Sequence, residues 1–230
     1  MELAPERILA NLCEVHGRIA AAAARSGRAR EAVRLVAVTK AVEPDVIRVL
    51  AQAGQKDLGE NRAQQLRDRA AALADLRLNW HMIGRLQKKN AKYVVPAAAM
   101  IHSVDSVELA AEIGKRAVAL GRQATCLLEV NSGEEQKAGV LPSEAPAAAR
   151  AVATVVGISL VGLMTMAPLS ADPEASRPAF AALRGLLAQI NREAALPRPL
   201  AELSMGMTQD YEVAIEEGAT IVRVGTALYR

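Results

Sequence analysis

The residues able to do chemistry fall at regular intervals along this chain, each at the end of a short apolar run. Lys40 follows Leu35-Val36-Ala37-Val38-Thr39, and Glu60-Asn61 follows Asp57-Leu58-Gly59. His81 lies within Trp80-His81-Met82-Ile83, which Gly84-Arg85 closes. Later runs deliver Ser103 and Asp105, then Asn131, Met164-Thr165, Ser204-Met205-Gly206, and Arg223 with Gly225-Thr226. A lysine partly desolvated at a strand end would have a lowered pKa, because burial disfavours the ammonium, and a neutral amine condenses with an aldehyde. Ser204-Met205-Gly206-Met207-Thr208, just before a helical pattern, and Gly225-Thr226 offer hydroxyls and close backbone approach. With backbone N–H groups and a helix N-terminus, such loops suit a phosphate. Singly they equally suit a turn glycine and an N-cap at Thr208, but both on adjacent loops opposite a strand-end lysine favour a phosphate site. Arg223 needs a partner if buried, either an internal carboxylate or a ligand. His81 reads first as a hydrogen-bonded core histidine and second as an acid–base group. His16 and His102 do not group with it by spacing, so no zinc site is suggested. Arg85, Lys88, Lys89 and Lys92 form a basic patch, either a solvated helix face or an attractor of phosphate ligands.

The elements that must position these residues are legible in the apolar pattern. Eight strand candidates alternate with helical stripes: 35–39, 57–60, 80–83, 100–103, 124–130, 158–164, 200–203 and 220–224. Between them, Pro44 suits the first turn of the helix carrying Val46, Val49 and Leu50. Leu66, Ala70 and Leu73 mark the next helix, and a shorter basic helix is expected over 86–95. Leu109, Ile113, Ala117 and Leu120 form a stripe closed by Gly121; 142–156 is Ala-rich; Leu183, Leu187 and Ile190 form another stripe; the last helix runs over 208–217. Ahead of them all, Ile8, Leu12, Val15 and Ile19 share one helical face, ended by Ser26-Gly27. Eight parallel strands with right-handed helical crossovers predict an α/β fold, a (β/α)8 TIM barrel. The polar strand ends then converge on one mouth. The extra helix over 1–27 either covers the barrel bottom or fills the place left after the eighth strand, with the barrel over 35–230 as a single domain. An open doubly wound sheet is the rival, but no Gly-x-Gly-x-x-Gly follows the first strand.

Composition narrows the classes. The chain has 230 residues, 51% hydrophobic and 2% aromatic, with a net charge of +3. One or two domains fit that length, at about 150 residues each. The core must be aliphatic, and the Ala20 to Ala24 run points to closely packed helices. The weak charge and scarce aromatics argue against nucleic-acid partners. No apolar run is long enough for a membrane span, and no signal pattern opens the chain. Cys13 and Cys126 read as reduced core thiols of a cytoplasmic protein.

At these residues the sequence resembles the pyridoxal phosphate homeostasis proteins, single-domain relatives of the alanine racemase N-terminal barrel. The resemblance covers nearly the whole chain. It is carried by Val36-Ala37-Val38-Thr39-Lys40, Gly59-Glu60-Asn61-Arg62, Trp80-His81-Met82-Ile83-Gly84-Arg85-Leu86-Gln87 and His102-Ser103-Val104-Asp105-Ser106. It continues in Glu134-Glu135-Gln136-Lys137-Ala138-Gly139, Gly162-Leu163-Met164-Thr165, Leu203-Ser204-Met205-Gly206-Met207-Thr208-Gln209-Asp210 and Val222-Arg223-Val224-Gly225-Thr226-Ala227. The family implies pyridoxal 5'-phosphate (PLP) held as a Schiff base on Lys40. It implies that Ser204, Gly225 and Thr226, with the Gly206 and Thr208 loop, hold the phosphate. Arg223 would face the pyridine nitrogen, and Asn61 and His81 would line the ring pocket. An Arg donor leaves that nitrogen unprotonated, so the ring is a poorer electron sink.

Three functions follow as expectations. The first is a cofactor carrier that buffers PLP or delivers it to PLP-dependent apoenzymes, a cytoplasmic monomer without robust catalysis. The second is an amino-acid racemase, which needs an acid–base group on each face of the bound substrate. Alanine racemase takes its second base, a tyrosine, from a C-terminal domain. This sequence stops at Arg230, and Tyr93, Tyr211 and Tyr229 sit in no matching motif. The third is a barrel enzyme using Lys40 on a phosphorylated sugar.

Overall fold

In the computed structural model, which describes residues 4–133 and 138–230, the eight apolar runs become parallel strands that pair in chain order and close on themselves. They are β1 (Arg34–Val38), β2 (Asp57–Glu60), β3 (Asn79–Met82), β4 (Ala98–Val104), β5 (Ala124–Glu129), β6 (Ile158–Met164), β7 (Glu202–Ser204) and β8 (Ile221–Val224). β1 pairs with both β2 and β8, which excludes the open sheet. Successive side chains point to opposite faces of a strand. Val36, Met100, Leu127, Met164 and Ile221 accordingly pack together as an interior cluster. Their neighbours Leu35, Ala37, Ile101, Leu128, Leu163 and Val222 join the larger core beneath the helices.

The helices are α1 (Pro5–Arg25), α2 (Pro44–Gln52), α3 (Ala63–Ala72), α4 (Ala91–Val94), α5 (Val107–Ala119), α6 (Ala145–Ala153), α7 (Arg177–Glu193) and α8 (Tyr211–Glu216). β8 is followed by a 3-10 turn over Thr226–Leu228, and α1 packs between α8 and α2. It therefore occupies the place left after β8 rather than the barrel bottom. Ile8, Leu12, Val15 and Ile19 are all buried, each burial stabilising by about 2 kcal/mol. Arg18 and Arg25 pair with Glu212 and Glu216 of α8, and Arg28 donates to the carbonyls of Ile215 and Ala219.

Several boundaries differ from expectation for local reasons. The basic helix expected over 86–95 contracts to a 3-10 turn at Lys88–Asn90 and the single turn of α4, because Gln87 is extended. Leu120 is 52% exposed, since the α5 stripe ends at Ala117 and Gly121, at φ 66°, turns the chain away. The seventh strand starts at Glu202, not Leu200, because the Asn191 side chain bonds both the N–H and C=O of Leu200. The Ala-rich helix begins only at Ala145, and α8 begins at Tyr211, not Thr208. Cys126 is buried as expected, but Cys13 is exposed on the outer side of α1. Among the described residues, no helix is long and apolar enough to cross a membrane.

Candidate functional site

Lys40 stands in the turn after β1. Val36 faces the interior, so alternation places Val38 and Lys40 on the mouth side. Lys40 is exposed, so the partial desolvation expected of it is not supplied by the barrel wall. The turn itself is clamped from outside. Arg69 of α3 donates to Thr39 O at 2.7 Å and to Val42 O, and pairs with Glu60 at 2.5 Å. Glu60 Oε1 also accepts from Thr39 Oγ1 at 2.6 Å, and Gln65 Nε2 donates to Lys40 O at 3.2 Å. Burial pushes the Glu60 carboxyl up, against the opposing pull of Thr39 and Arg69. Asn61 is half-buried beside Gly84, where an added Cβ would lie 2.4 Å from Asn61 O. Only glycine lets these two loops touch.

Arg223 lies beside Val36 in the β1–β8 register and is 4% exposed. It donates Nη1–H to Ser204 Oγ at 2.5 Å and Nη2–H to Thr165 O at 3.0 Å. Burial lowers its pKa to about 10, which still leaves it cationic at neutral pH. Ser204 is fully buried, with Oγ also 2.8 Å from His102 Nδ1. Its hydroxyl, expected at a phosphate, is thus committed to a network inside the barrel. His102 Nε2 lies 2.9 Å from His81 Nδ1, and His81 Nε2 lies 3.0 Å from Asp57 Oδ1. His81 is therefore a hydrogen-bonded core histidine.

Sequence reasoning missed two residues here. His102 and His81 are 21 residues apart, so spacing never joined them; the usable signal was that each histidine sits inside an apolar strand. Glu129 was absorbed into the fifth strand, yet it is a buried carboxyl near the mouth, 4% exposed. Burial and Asp105 raise its pKa to about 7, with Arg223 and Arg85 pulling the other way.

The loops after β7 and β8 form a cup. Gly206 has φ 90°, and a Cβ there would lie 2.5 Å from Ala214 Cβ. Asp210 accepts the Met207 N–H at 2.7 Å and the Ser176 hydroxyl at 3.0 Å. Thr208 Oγ1 accepts the Gly225 N–H at 3.2 Å, tying one loop to the other. Neither an N-cap at Thr208 nor a helix N-terminal anion site forms, because α8 begins at Tyr211 and has only 6 residues. The N–H groups of Gly206, Thr208 and Thr226 make no hydrogen bond among the described residues. Gly225 packs against β1, where a Cβ would come 3.2 Å from Val38 Cβ. An exposed amine, a buried guanidinium that can only donate, and two loops with open donors can together hold an anionic carbonyl compound. Arg85, Lys88, Lys89 and Lys92 are all exposed, with the Lys92 ammonium over the Tyr93 ring. The expected motif portion over 134–137 lies outside the described residues.

Residues 16–230 match the family described as alanine racemase, N-terminal domain. A pyridoxal phosphate homeostasis protein of Aquifex aeolicus is 43% identical over 224 residues, covering 95% of this chain and 97% of that one. A protein of the same name from Pseudomonas aeruginosa is 40% identical over 223 residues, covering 96% and 94%. A solved structure of PipY from Synechococcus elongatus, with PLP bound, superposes at TM-score 0.84 and 34% identity, covering 97% of this chain and 100% of that one.

Proposed function

Because the chain belongs to the alanine racemase N-terminal domain family, we propose that it binds pyridoxal 5'-phosphate through a Schiff base on Lys40 and acts in intracellular homeostasis of that cofactor. The observation that carries the reading is the convergence of three groups on adjacent strands: Lys40 above β1, Arg223 in β8 beside Val36, and Gly225 against Val38. The donor set fits the cofactor. The Lys40 amine meets the aldehyde, with loss of one water. The open N–H groups of Gly206, Thr208 and Thr226, and the Thr226 hydroxyl, would hold the phosphate. The hydroxyl of Thr208 holds the Gly225 loop in place. Ser204 contributes from behind by holding Arg223. Asn61 and His81 would belong to the lining of the ring pocket.

Bound PLP supplies an aldehyde and an electron-withdrawing ring. Arg223 stays protonated and can only donate, so a ring nitrogen held against it would gain no proton, and carbanion chemistry would get little help. This favours holding and releasing the cofactor, to PLP-dependent apoenzymes among others, over turnover. The tyrosines agree. Tyr93 stacks under Arg67 and Lys92, while Tyr211 and Tyr229 have hydroxyls buried away from solvent. We place the protein in the cytoplasm, where the exposed Cys13 thiol suits a reducing environment.

Titration with PLP should raise a visible absorption band in the wild type and none in Lys40→Ala. Borohydride reduction and peptide mapping should find the label on Lys40. A band that survives in Lys40→Ala, or a label elsewhere, refutes the assignment. Rapid racemisation across a panel of amino acids would overturn the carrier role and favour the racemase.

A further inference from the structure

We propose that the barrel interior carries a one-way hydrogen-bond relay from Arg223 at its mouth to Asp57 at its base, through which Ser204, His102 and His81 hold Arg223 as a fixed donor. The consequence for the cofactor ring rests on the PLP reading; the relay itself does not.

The two ends dictate the proton positions. Arginine has five N–H donors and no acceptor, and an ionised carboxylate accepts only. Arg223 therefore donates to Ser204 Oγ, and the Ser204 hydroxyl hydrogen turns to His102 Nδ1. His102 must then carry its proton on Nε2 and donate to His81 Nδ1. His81 in turn carries its proton on Nε2 and donates to Asp57 Oδ1. Given two neutral imidazoles and an ionised Asp57, this is the one arrangement that satisfies every contact. Burial pushes the Asp57 carboxyl up, but the His81 hydrogen bond and the charge of Arg34 hold it below the usual range. Burial, with the charges of Arg223 and Arg34, pushes His102 well down. The charged groups facing the chain are thus Arg34 from β1, Asp57 from β2 and Arg223 from β8, with Glu129 of β5 and Asp210 of the loop after β7 acting on Arg223.

With Ser204, His102, His81 and Arg223 buried, the network fixes geometry, because with neutral imidazoles a reversal leaves Asp57 facing a bare ring nitrogen. Reversing the two histidines would direct a second N–H at Ser204 Oγ and drive the serine hydrogen out toward the mouth. Asp57, at the far end of β2, guards against that reversal. His102 and His81 are accordingly positioning residues for Arg223.

Nitrogen-15 NMR of the unloaded protein tests this directly. Both rings should show a protonated Nε2 and a bare Nδ1, as one set of signals. Asp57→Ala should add a second tautomer set and change the visible band of the PLP-loaded protein. Asp57→Asn, whose Oδ1 still accepts, should restore both. A protonated Nδ1 on either ring in the wild type overturns the relay, whether or not the alanine variant folds. Asp57→Ala with unchanged tautomers overturns it as well, and a tautomer change with an unmoved band overturns the link to Arg223. A wild type with the expected tautomers and no PLP band would sink the cofactor assignment and leave the relay standing.

Discussion

Replacing Arg69 by alanine should destabilise the protein by about 3 kcal/mol, and the loss should shrink as the pH falls. Arg69 is the cation beside Glu60; their side chains are 12% and 0% exposed. Removing one partner of a buried pair costs roughly 3–5 kcal/mol, and the partial exposure of Arg69 points to the lower end. In a chain of this size that corresponds to a fall of about 6–12 °C in melting temperature. The stranded Glu60 carboxyl, already raised by burial, then loses the two Arg69 effects that opposed the rise. A carboxyl raised above its unfolded value stabilises the fold below the unfolded pKa and loses that contribution as pH rises. The deficit should therefore narrow from pH 7 to pH 5, and adding Glu60→Gln should recover about 1–2 kcal/mol by removing the unpaired charge. Urea unfolding at both pH values measures all three chains. Because Arg69 also holds Thr39 O and Val42 O, the variant should form its Lys40 linkage more slowly. A deficit under about 1 kcal/mol, or one that grows as pH falls, would refute the clamp.

Three further outcomes follow from single contacts. Gly84→Ala should cost about 2 kcal/mol in a thermal melt, because its Cβ meets Asn61 O at 2.4 Å, and Asn61 must shift. Glu129, with a pKa raised to about 7, stabilises the fold at low pH and loses that contribution as pH rises through about 7. Unfolding free energy should thus fall by roughly 3 kcal/mol from pH 5 to pH 8, a slope that Glu129→Gln should flatten. Thr208→Val should weaken PLP retention without blocking the Lys40 label, since it releases the Gly225 N–H and unties the two loops; dialysis followed by absorbance reads this.

The sequence alone determined what depends on local periodicity. The succession of strands and helices, Pro44 at a helix start and Gly121 past a helix end could each be read from short stretches of sequence. So could Lys40 and Arg223, because each stands at or near the end of an apolar run with a fixed side-chain phase. The tertiary structure decided what depends on which strands meet. Closure brings His81 of β3 against His102 of β4, and His102 against Ser204 of β7, 102 residues away. It set the Ser204 hydroxyl between Arg223 and His102, and made Thr208 a tie between loops rather than a cap. It also seated α1 beside α8, in the gap after β8. The reason is physical: an apolar pattern states which face of an element is buried, but the partner of a buried polar group is set by whatever lies across the barrel.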